Sequence, residues 1–426
     1  MLSRRLFSSS ARSQAKATVS KLANGVTVIS KPSAAGKSSV GVYLNSGSRS
    51  ENAYNSGVST LIGNLATAHN AAKGQGVNLF SSNAKEVSGL ASATYELGNS
   101  SAAFQSIKSI VSNLNSIISD DVSINAQKEK AIAVAEAFEN SPKDMVIEHM
   151  IGTAFQGTSL ALPKYGKAET LEILQSEDLK TFVKKNLVST NVAIVNVGDD
   201  VNHEALVKFA SELQIPTGTK TPFESALFLG SDIRLRDDTM PQAHAAISVK
   251  TPGANDVDSY YTGLVAAQIN GTYEGVASPF SPFVGSTLAQ FLEENHLVDS
   301  FQHFQLAFSD VGLWGGYFAS HNIENFDETI HFSLRNWNRF STATVKQVEL
   351  EKAKAELKLA LLKPVSCPVQ ESAAVATEYF AQGHIASEAE IAQNVDHVTD
   401  SAIVSWAQKN LWDQDIAMAG NGQIEA

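Results

Sequence analysis

The sequence predicts a fold of mixed α and β structure in which one unit, strands with helices packed on them, occurs twice. Three observations predict it. Short apolar strands alternate with segments whose apolar residues recur every three or four positions, the period of a helix. Landmarks also return at fixed offsets. Gly47 and Gly253, each closing a strand, stand 206 apart (253 − 47 = 206), and so do Gly57 and Gly263, each read as preceding a helix. Lys185-Asn186-Leu187 recurs as Lys409-Asn410-Leu411, and Val192-Ala193-Ile194 as Ile416-Ala417-Met418, both shifted by 224 (409 − 185 = 224). Finally, 426 residues exceed one ordinary core, and Pro216 to Thr221 reads as a linker between two. The difference between the offsets (224 − 206 = 18) gives the second copy about 18 more residues, placed within 270–310.

The elements follow in order. Asn24-Gly25 is a turn feeding a strand through Ile29, Pro32 to Lys37 makes the next turn, and Val40 to Leu44 is the second strand. A Gly/Ser/Asn-rich loop from Ser46 then opens a helix at Val58. Val87 to Leu97 is strand-like. Helix 101–118 carries Phe104, Ile107, Val111, Leu114 and Ile118 on one face, and a second helix covers about 124–139. It stops near Ser141-Pro142, where serine can cap and proline can begin the next helix, which faces Val146, Ile147, Met150, Ile151 and Phe155 inward. Helix 177–187 leads into the strand Val192 to Val197. In the second half, Ile233 and Leu235 alternate with Arg234 and Arg236, as in a strand with one solvated face. Lys346 to Lys363 reads as an amphipathic helix, with Val348, Ala353, Leu357, Ala360 and Leu361 opposite a charged face of mixed sign. Phe301, Phe304, Phe308, Trp314, Tyr317 and Phe318 are assigned to core packing rather than to a peptide groove.

Composition narrows the function. The net charge of −12 excludes a nucleic-acid binder, which needs a dense basic surface. No apolar run is long enough to span a bilayer. The single Cys367 excludes an internal disulfide and a cysteine zinc cluster. No phosphate-binding Gly-x-x-x-x-Gly-Lys-Ser/Thr loop occurs, and the glycines around Gly312, Gly315 and Gly316 lack dinucleotide spacing. The N-terminus departs from the acidic balance. No Asp or Glu precedes Glu51, Arg4, Arg5, Arg12, Lys16 and Lys21 fall early, and Ser8, Ser9 and Ser10 cluster, which is the composition of a mitochondrial transit peptide, set at residues 1–17.

One stretch carries a family resemblance. Gly47-Ser48-Arg49 followed by Gly57 and an apolar helix resembles the zinc-site approach of the M16 metallopeptidases, the family of the mitochondrial processing peptidase. In that family the helix bears His-x-x-Glu-His: two histidines on one face hold zinc and the glutamate acts as general base. Here Thr60, Gly63 and Asn64 stand at those positions, and none of the ten histidines lies four from another. The family's third ligand, a glutamate on the helix over 124–139, matches Val134, with Glu136 and Glu139 nearby read as solvated helix residues. The 206 offset carries the three positions to Ala266, Ile269 and Asn270, which offer no ligand set either.

The string Phe228-Leu229-Gly230-Ser231-Asp232-Ile233-Arg234-Leu235-Arg236-Asp237-Asp238 resembles the opening of the second half in the processing-peptidase β and respiratory core-subunit branches of the family. Gly312-Leu313-Trp314-Gly315 and Trp412-Asp413-Gln414-Asp415-Ile416-Ala417 resemble the core-subunit branch. The resemblance covers about Leu22 to Ile424. It implies α+β architecture with two homologous M16-like halves, 18–220 and 221–426, each an antiparallel-rich mixed sheet with helices packed on it, enclosing a cavity. It further implies a structural subunit with no catalytic, cofactor or metal residues, peripheral on the matrix side of the mitochondrial inner membrane. The implied partners are a second core subunit, cytochrome b, cytochrome c1 and the Rieske subunit of ubiquinol–cytochrome c oxidoreductase (complex III). Two other readings are a non-catalytic presequence-binding subunit of the processing peptidase, which the acidic balance suits, and a metallopeptidase with unorthodox ligands.

Overall fold

The computed structural model describes residues 16–424 apart from 34–36, 72–77, 97–98, 200, 276–285, 323, 325, 344, 364 and 366. All but the last two residues of the expected transit peptide lie outside the described residues.

The first half contains β1 (Thr18–Lys21), β2 (Thr27–Pro32), β3 (Ser38–Leu44), α1 (Val58–Ala71), β4 (Asn78–Asn83), β5 (Ser88–Tyr95), α2 (Ser100–Ile117), α3 (Asp121–Glu139), α4 (Pro142–Ala154), α5 (Ala168–Ile173), α6 (Ser176–Asn186), β6 (Val192–Gly198) and α7 (His203–Glu212). Its strands are ordered β1-β2-β6-β3-β5-β4, antiparallel except for the β2–β6 pair. No helix or strand occurs over 214–231, which contains the expected linker.

The second half contains β7 (Asp232–Arg236), β8 (Ala243–Pro252), α8 (Val257–Asn270), β9 (Thr272–Glu274), α9 (Thr287–Glu294), β10 (Ser300–Ala307), β11 (Val311–Ser320), α10 (Phe326–Thr342), α11 (Gln347–Leu361), α12 (Pro368–Gln382), α13 (Glu388–His397), α14 (Asp400–Asn410) and β12 (Ile416–Gly422). The order β7-β12-β8-β11-β10-β9 repeats the first sheet with β1 removed from one edge and β9 added at the other, and β7–β12 is its parallel pair. The extra β9 and α9 fall inside the 270–310 window in which the offsets placed the insertion.

One offset needs correction. Gly253 is a true counterpart of Gly47. A Cβ at Gly47 would meet the Ala84 carbonyl at 1.9 Å, and one at Gly253 the Val311 amide at 2.6 Å, so each glycine lets its chain pass the turn of the neighbouring hairpin. Gly263, by contrast, does not precede a helix. It lies in the middle of α8, as Gly63 lies in α1, because the loop before α8 is shorter than the one before α1. Ala266, Ile269 and Asn270 are therefore the C-terminal residues of α8 and not the counterparts of Thr60, Gly63 and Asn64.

Local chemistry explains several boundaries. The Asp120 carboxylate accepts from the Val122 amide at 3.3 Å and begins α3. Pro142 occupies the first turn of α4, but the Ser141 hydroxyl donates to Asp144 at 2.8 Å instead of capping a backbone amide. Along α11 the buried residues are Leu350, Ala353, Lys354 and Leu357, while Val348 is 81% exposed, so the apolar face is narrower than periodicity alone indicated.

The two halves exchange a helix. Val146, Met150, Ile151, Ala154 and Phe155, on or just after α4, pack against Ala246, Leu313, Ala417 and Ala419 of the second sheet. Reciprocally, Val375 and Ala376 of α12 pack on Ile29, Tyr43, Ala193, Val195 and Val197 of the first. The buried hydroxyls of this second contact are matched: Tyr43 bonds Ser372 at 2.9 Å and accepts from Ser92 at 2.8 Å, and Ser39 donates to the Pro368 carbonyl at 2.7 Å. Of the aromatic string, Phe301, Phe308, Trp314, Tyr317 and Phe318 are buried, as core packing requires.

Candidate functional site

The start of α1 is built by a buried carboxylate. Glu51 Oε2 accepts from the Gly57 amide at 2.7 Å, and Oε1 accepts from the Ser59 amide at 2.9 Å and the Ser59 hydroxyl at 2.6 Å. These are amides that a helix leaves without intrahelical partners, and a negative group beside them is favoured by the helix dipole. Burial pushes the Glu51 carboxyl up to about 7, against the opposing bonds from Ser59 and Gly57. Gly57 adopts φ +94°, and a Cβ there would meet Leu171 at 2.6 Å, so glycine is required at this bend.

One turn on, the Thr60 hydroxyl oxygen accepts from Asn83 Nδ2 at 2.7 Å, and the same nitrogen donates to the Lys164 carbonyl at 2.7 Å. This amide ties α1 to the end of β4 and to the loop after α4. Gly63 lies so close to β4 that a Cβ would stand 2.8 Å from Ser81 Cβ. Asn64 is half-buried, and its carbonyl accepts from Thr67 at 3.0 Å. On α3, Val134 is 44% exposed, and Glu136 and Glu139 are also exposed. In the second half the Asn270 side chain accepts from Asn336 at 2.7 Å. Among the described residues no group of three or more His, Cys, Asp or Glu is placed to hold a metal ion.

The charged chemistry lies beside this turn, in a cluster that sequence reasoning missed. Arg49 is only 2% exposed. Its Nη1 donates to Glu86 at 2.5 Å and Asp310 at 2.7 Å, and its Nη2 to Asp310 at 2.8 Å and the Glu224 carbonyl at 2.9 Å. The guanidinium also faces the Phe223 ring, 5.0 Å from its centroid. Glu86 in turn accepts from the Ser309 amide at 2.9 Å and hydroxyl at 2.7 Å. One side chain therefore joins the first half, the irregular segment 214–231 between the halves and the β10–β11 turn.

Burial opposes the Arg49 charge, but the Asp310 and Glu86 bonds outweigh it and raise its pKa. Burial alone would raise Asp310; the Arg49 bond and charge instead hold it below the usual carboxylate range. Close by, buried Lys85 pairs with Glu148 and donates to the Leu162 carbonyl at 2.5 Å. Burial pushes the Lys85 ammonium down, and Glu148 partly restores it. Lys220 sits 4.0 Å from the Phe223 centroid, with its ammonium pushed down by burial to about 8. The sequence marked Arg49 only as part of a loop motif. Partners 37 and 261 positions away leave no local signal.

Comparison with known proteins now places this arrangement. Residues 26–167 match the family described as Insulinase (Peptidase family M16), and residues 174–357 match the Peptidase M16 inactive domain. The chain belongs to the M16 peptidase family. Among M16 relatives, it is 37% identical to the Saccharomyces cerevisiae cytochrome b-c1 complex subunit 1, over 96% of this chain and 91% of that protein. It is 34% identical to the Candida albicans cytochrome b-c1 complex reductase subunit, over 100% of this chain and 94% of that one. The β subunit of the Neurospora crassa mitochondrial-processing peptidase is 30% identical over 96% of this chain and 88% of its own. The fold superposes on a chain of the solved complex III2 from Candida albicans, bound to Inz-5, with a TM-score of 0.90, 34% identity and 96% coverage of each chain. Among the described residues of this M16 chain, no helix is long and apolar enough to cross a membrane.

Proposed function

We propose that the chain is a non-catalytic core subunit of mitochondrial ubiquinol–cytochrome c oxidoreductase, peripheral on the matrix side of the inner membrane. There it pairs with a second core subunit and braces cytochrome b, cytochrome c1 and the Rieske subunit. The observation that carries this reading is likeness over nearly the full length of both chains, in sequence and in fold, to subunit 1 of that complex and to a chain of its solved structure. The family's inactive-domain match supports a role without catalysis.

At residue level, the reading holds that the family's zinc motif has been replaced by Thr60, Gly63 and Asn64. The groups present do not suit zinc. A neutral hydroxyl engaged by Asn83 and a neutral amide supply no anionic or imidazole donor, and Gly63 has no room for a glutamate unless β4 moves. Catalytic, cofactor and metal residues are all assigned as none. The proposal includes a transit peptide over 1–17 and M16-like halves over 18–220 and 221–426.

Blue-native electrophoresis with identification of the co-migrating chains tests it. Cytochrome b and cytochrome c1 in the band are expected, whereas co-migration with a peptidase β subunit alone would favour the presequence-binding reading. Elemental analysis of the same band separates out the metallopeptidase reading, since stoichiometric zinc in this chain would contradict the assignment of Thr60, Gly63 and Asn64.

A further inference from the structure

The contact between the halves repeats itself. The β4–β5 and β10–β11 turns are counterparts: the Ala84 amide donates to the Val87 carbonyl at 2.9 Å, and the Phe308 amide to the Val311 carbonyl at 2.8 Å, 224 further on (308 − 84 = 224). Each turn also accepts from the loop that enters the next helix. Ser48 donates to the Ala84 carbonyl at 3.4 Å and Ala254 to the Phe308 carbonyl at 2.7 Å, with donors 206 apart (254 − 48 = 206). Lys85 and Glu86 therefore correspond to Ser309 and Asp310. These matching turns touch each other: Glu86 accepts from Ser309, and Arg49 bridges Glu86 to Asp310. The exchanged helices correspond as well. α4 and α12 each begin at a proline, 226 apart (368 − 142 = 226), the offset that also separates the starts of α2 and α10 (326 − 100 = 226). Buried Val146 and Met150 of α4 return as buried Ser372 and Ala376 of α12 (372 − 146 = 226). Like turn meets like turn, and each half lends the other the same helix, which is the pattern of a twofold, self-complementary interface between subunits.

We propose that the two halves are a pair of subunits within one chain: the second half binds the first through this surface, and the covalent link between them is dispensable. The apolar part supplies the drive. Met150, Ala154 and Phe155 lie among Leu313, Ala417 and Ala419, and Val375 and Ala376 lie on Ile29, Val195 and Val197, so association removes both sheet faces from water. The polar part decides which halves pair. The counterpart of buried Arg49 is Asn255 (255 − 49 = 206), which is exposed and carries no charge. Two second halves meeting in this way would set Asp310 against Asp310 with no cation between them, a like-charge contact that opposes self-pairing. First with second places one buried guanidinium against both carboxylates. Arg49 is thus the residue of the first half that recognises the second, and the Glu224 carbonyl and the Phe223 ring add to its seat.

The test cuts the full chain after it has folded. A protease recognition sequence flanked by glycine and serine is inserted between the exposed Thr221 and Pro222, and cleavage is followed on a denaturing gel. Native mass spectrometry of the cut protein is expected to show the two fragments as a 1:1 pair. The urea midpoint of the cut protein is expected to rise with protein concentration, while that of the uncut protein stays fixed, because unfolding then also separates two molecules. Arg49→Met in the cut protein is expected to raise the dissociation constant of the pair about tenfold or more. Fragments that part on cutting, a homodimer of either fragment, or a dissociation constant unmoved by Arg49→Met overturns the inference. So does an uncut chain that no longer folds once the insert is in place.

Discussion

At the scale of single residues, two buried ionisable groups govern the neighbourhood of α1, and they act in opposite ways. Arg49 is neutralised by Glu86 and Asp310, so its removal leaves carboxylates facing one another without a cation. Arg49→Met is expected to lower unfolding stability by about 3 kcal/mol, at the lower end for a broken buried pair because Asp310 is 43% exposed. Asp310→Asn, which keeps the Glu86 contact, should cost about 1 kcal/mol. Urea denaturation midpoints would check both. Glu51 is raised from 4.5 to about 7, so between those values the folded chain binds more protons than the unfolded one. Its contribution is fully present below about pH 4.5 and is lost as pH rises through about 7. A Glu51→Gln variant should remove up to about 3 kcal/mol of this pH dependence. Parallel pH–stability curves for the two proteins would contradict the assignment.

At the scale of elements, α1 is held against β4 by close approach and by the Asn83 amide. Gly63→Ala places a methyl group 2.8 Å from Ser81 Cβ, and such overpacking costs about 1–3 kcal/mol. The combined Thr60→His, Gly63→Glu and Asn64→His variant is therefore expected to unfold at a lower temperature than the parent, with or without added zinc; stabilisation by zinc would show that the turn can still form a ligand set. The elements themselves were largely legible where a period was long. Helix 101–118 and the helix beginning at Val58 appear within a residue of their expected limits, because apolar spacing and glycine punctuation act locally. The edge strand β4 and the short β1 were not legible, since neither has a fully buried residue or an alternating apolar pattern to follow. Gly263 misled because a glycine packed inside a helix carries the same letter as one that bends the chain before it.

At the scale of the whole molecule, each sheet is covered on one face by a helix from the other half. Neither half can bury that face alone, and the apolar area left bare would be large. Met150, fully buried between α4 and the second sheet, belongs to this shared core. Met150→Ala is expected to cost about 2–5 kcal/mol. It should shift near-UV circular dichroism and intrinsic fluorescence transitions together, since all four tryptophans lie in the second half. Two separated transitions, one per half, would argue against the exchange of α4 and α12 as a binding principle.

By itself the sequence determined the class of fold, the doubling of the unit and the place of the insertion. Each of these is written in short-range spacing or in repeated offsets. Only the tertiary structure decided that Arg49 joins three distant segments and that the halves trade helices. Those facts depend on pairings between residues tens to hundreds of positions apart, which side-chain chemistry permits but local pattern does not encode.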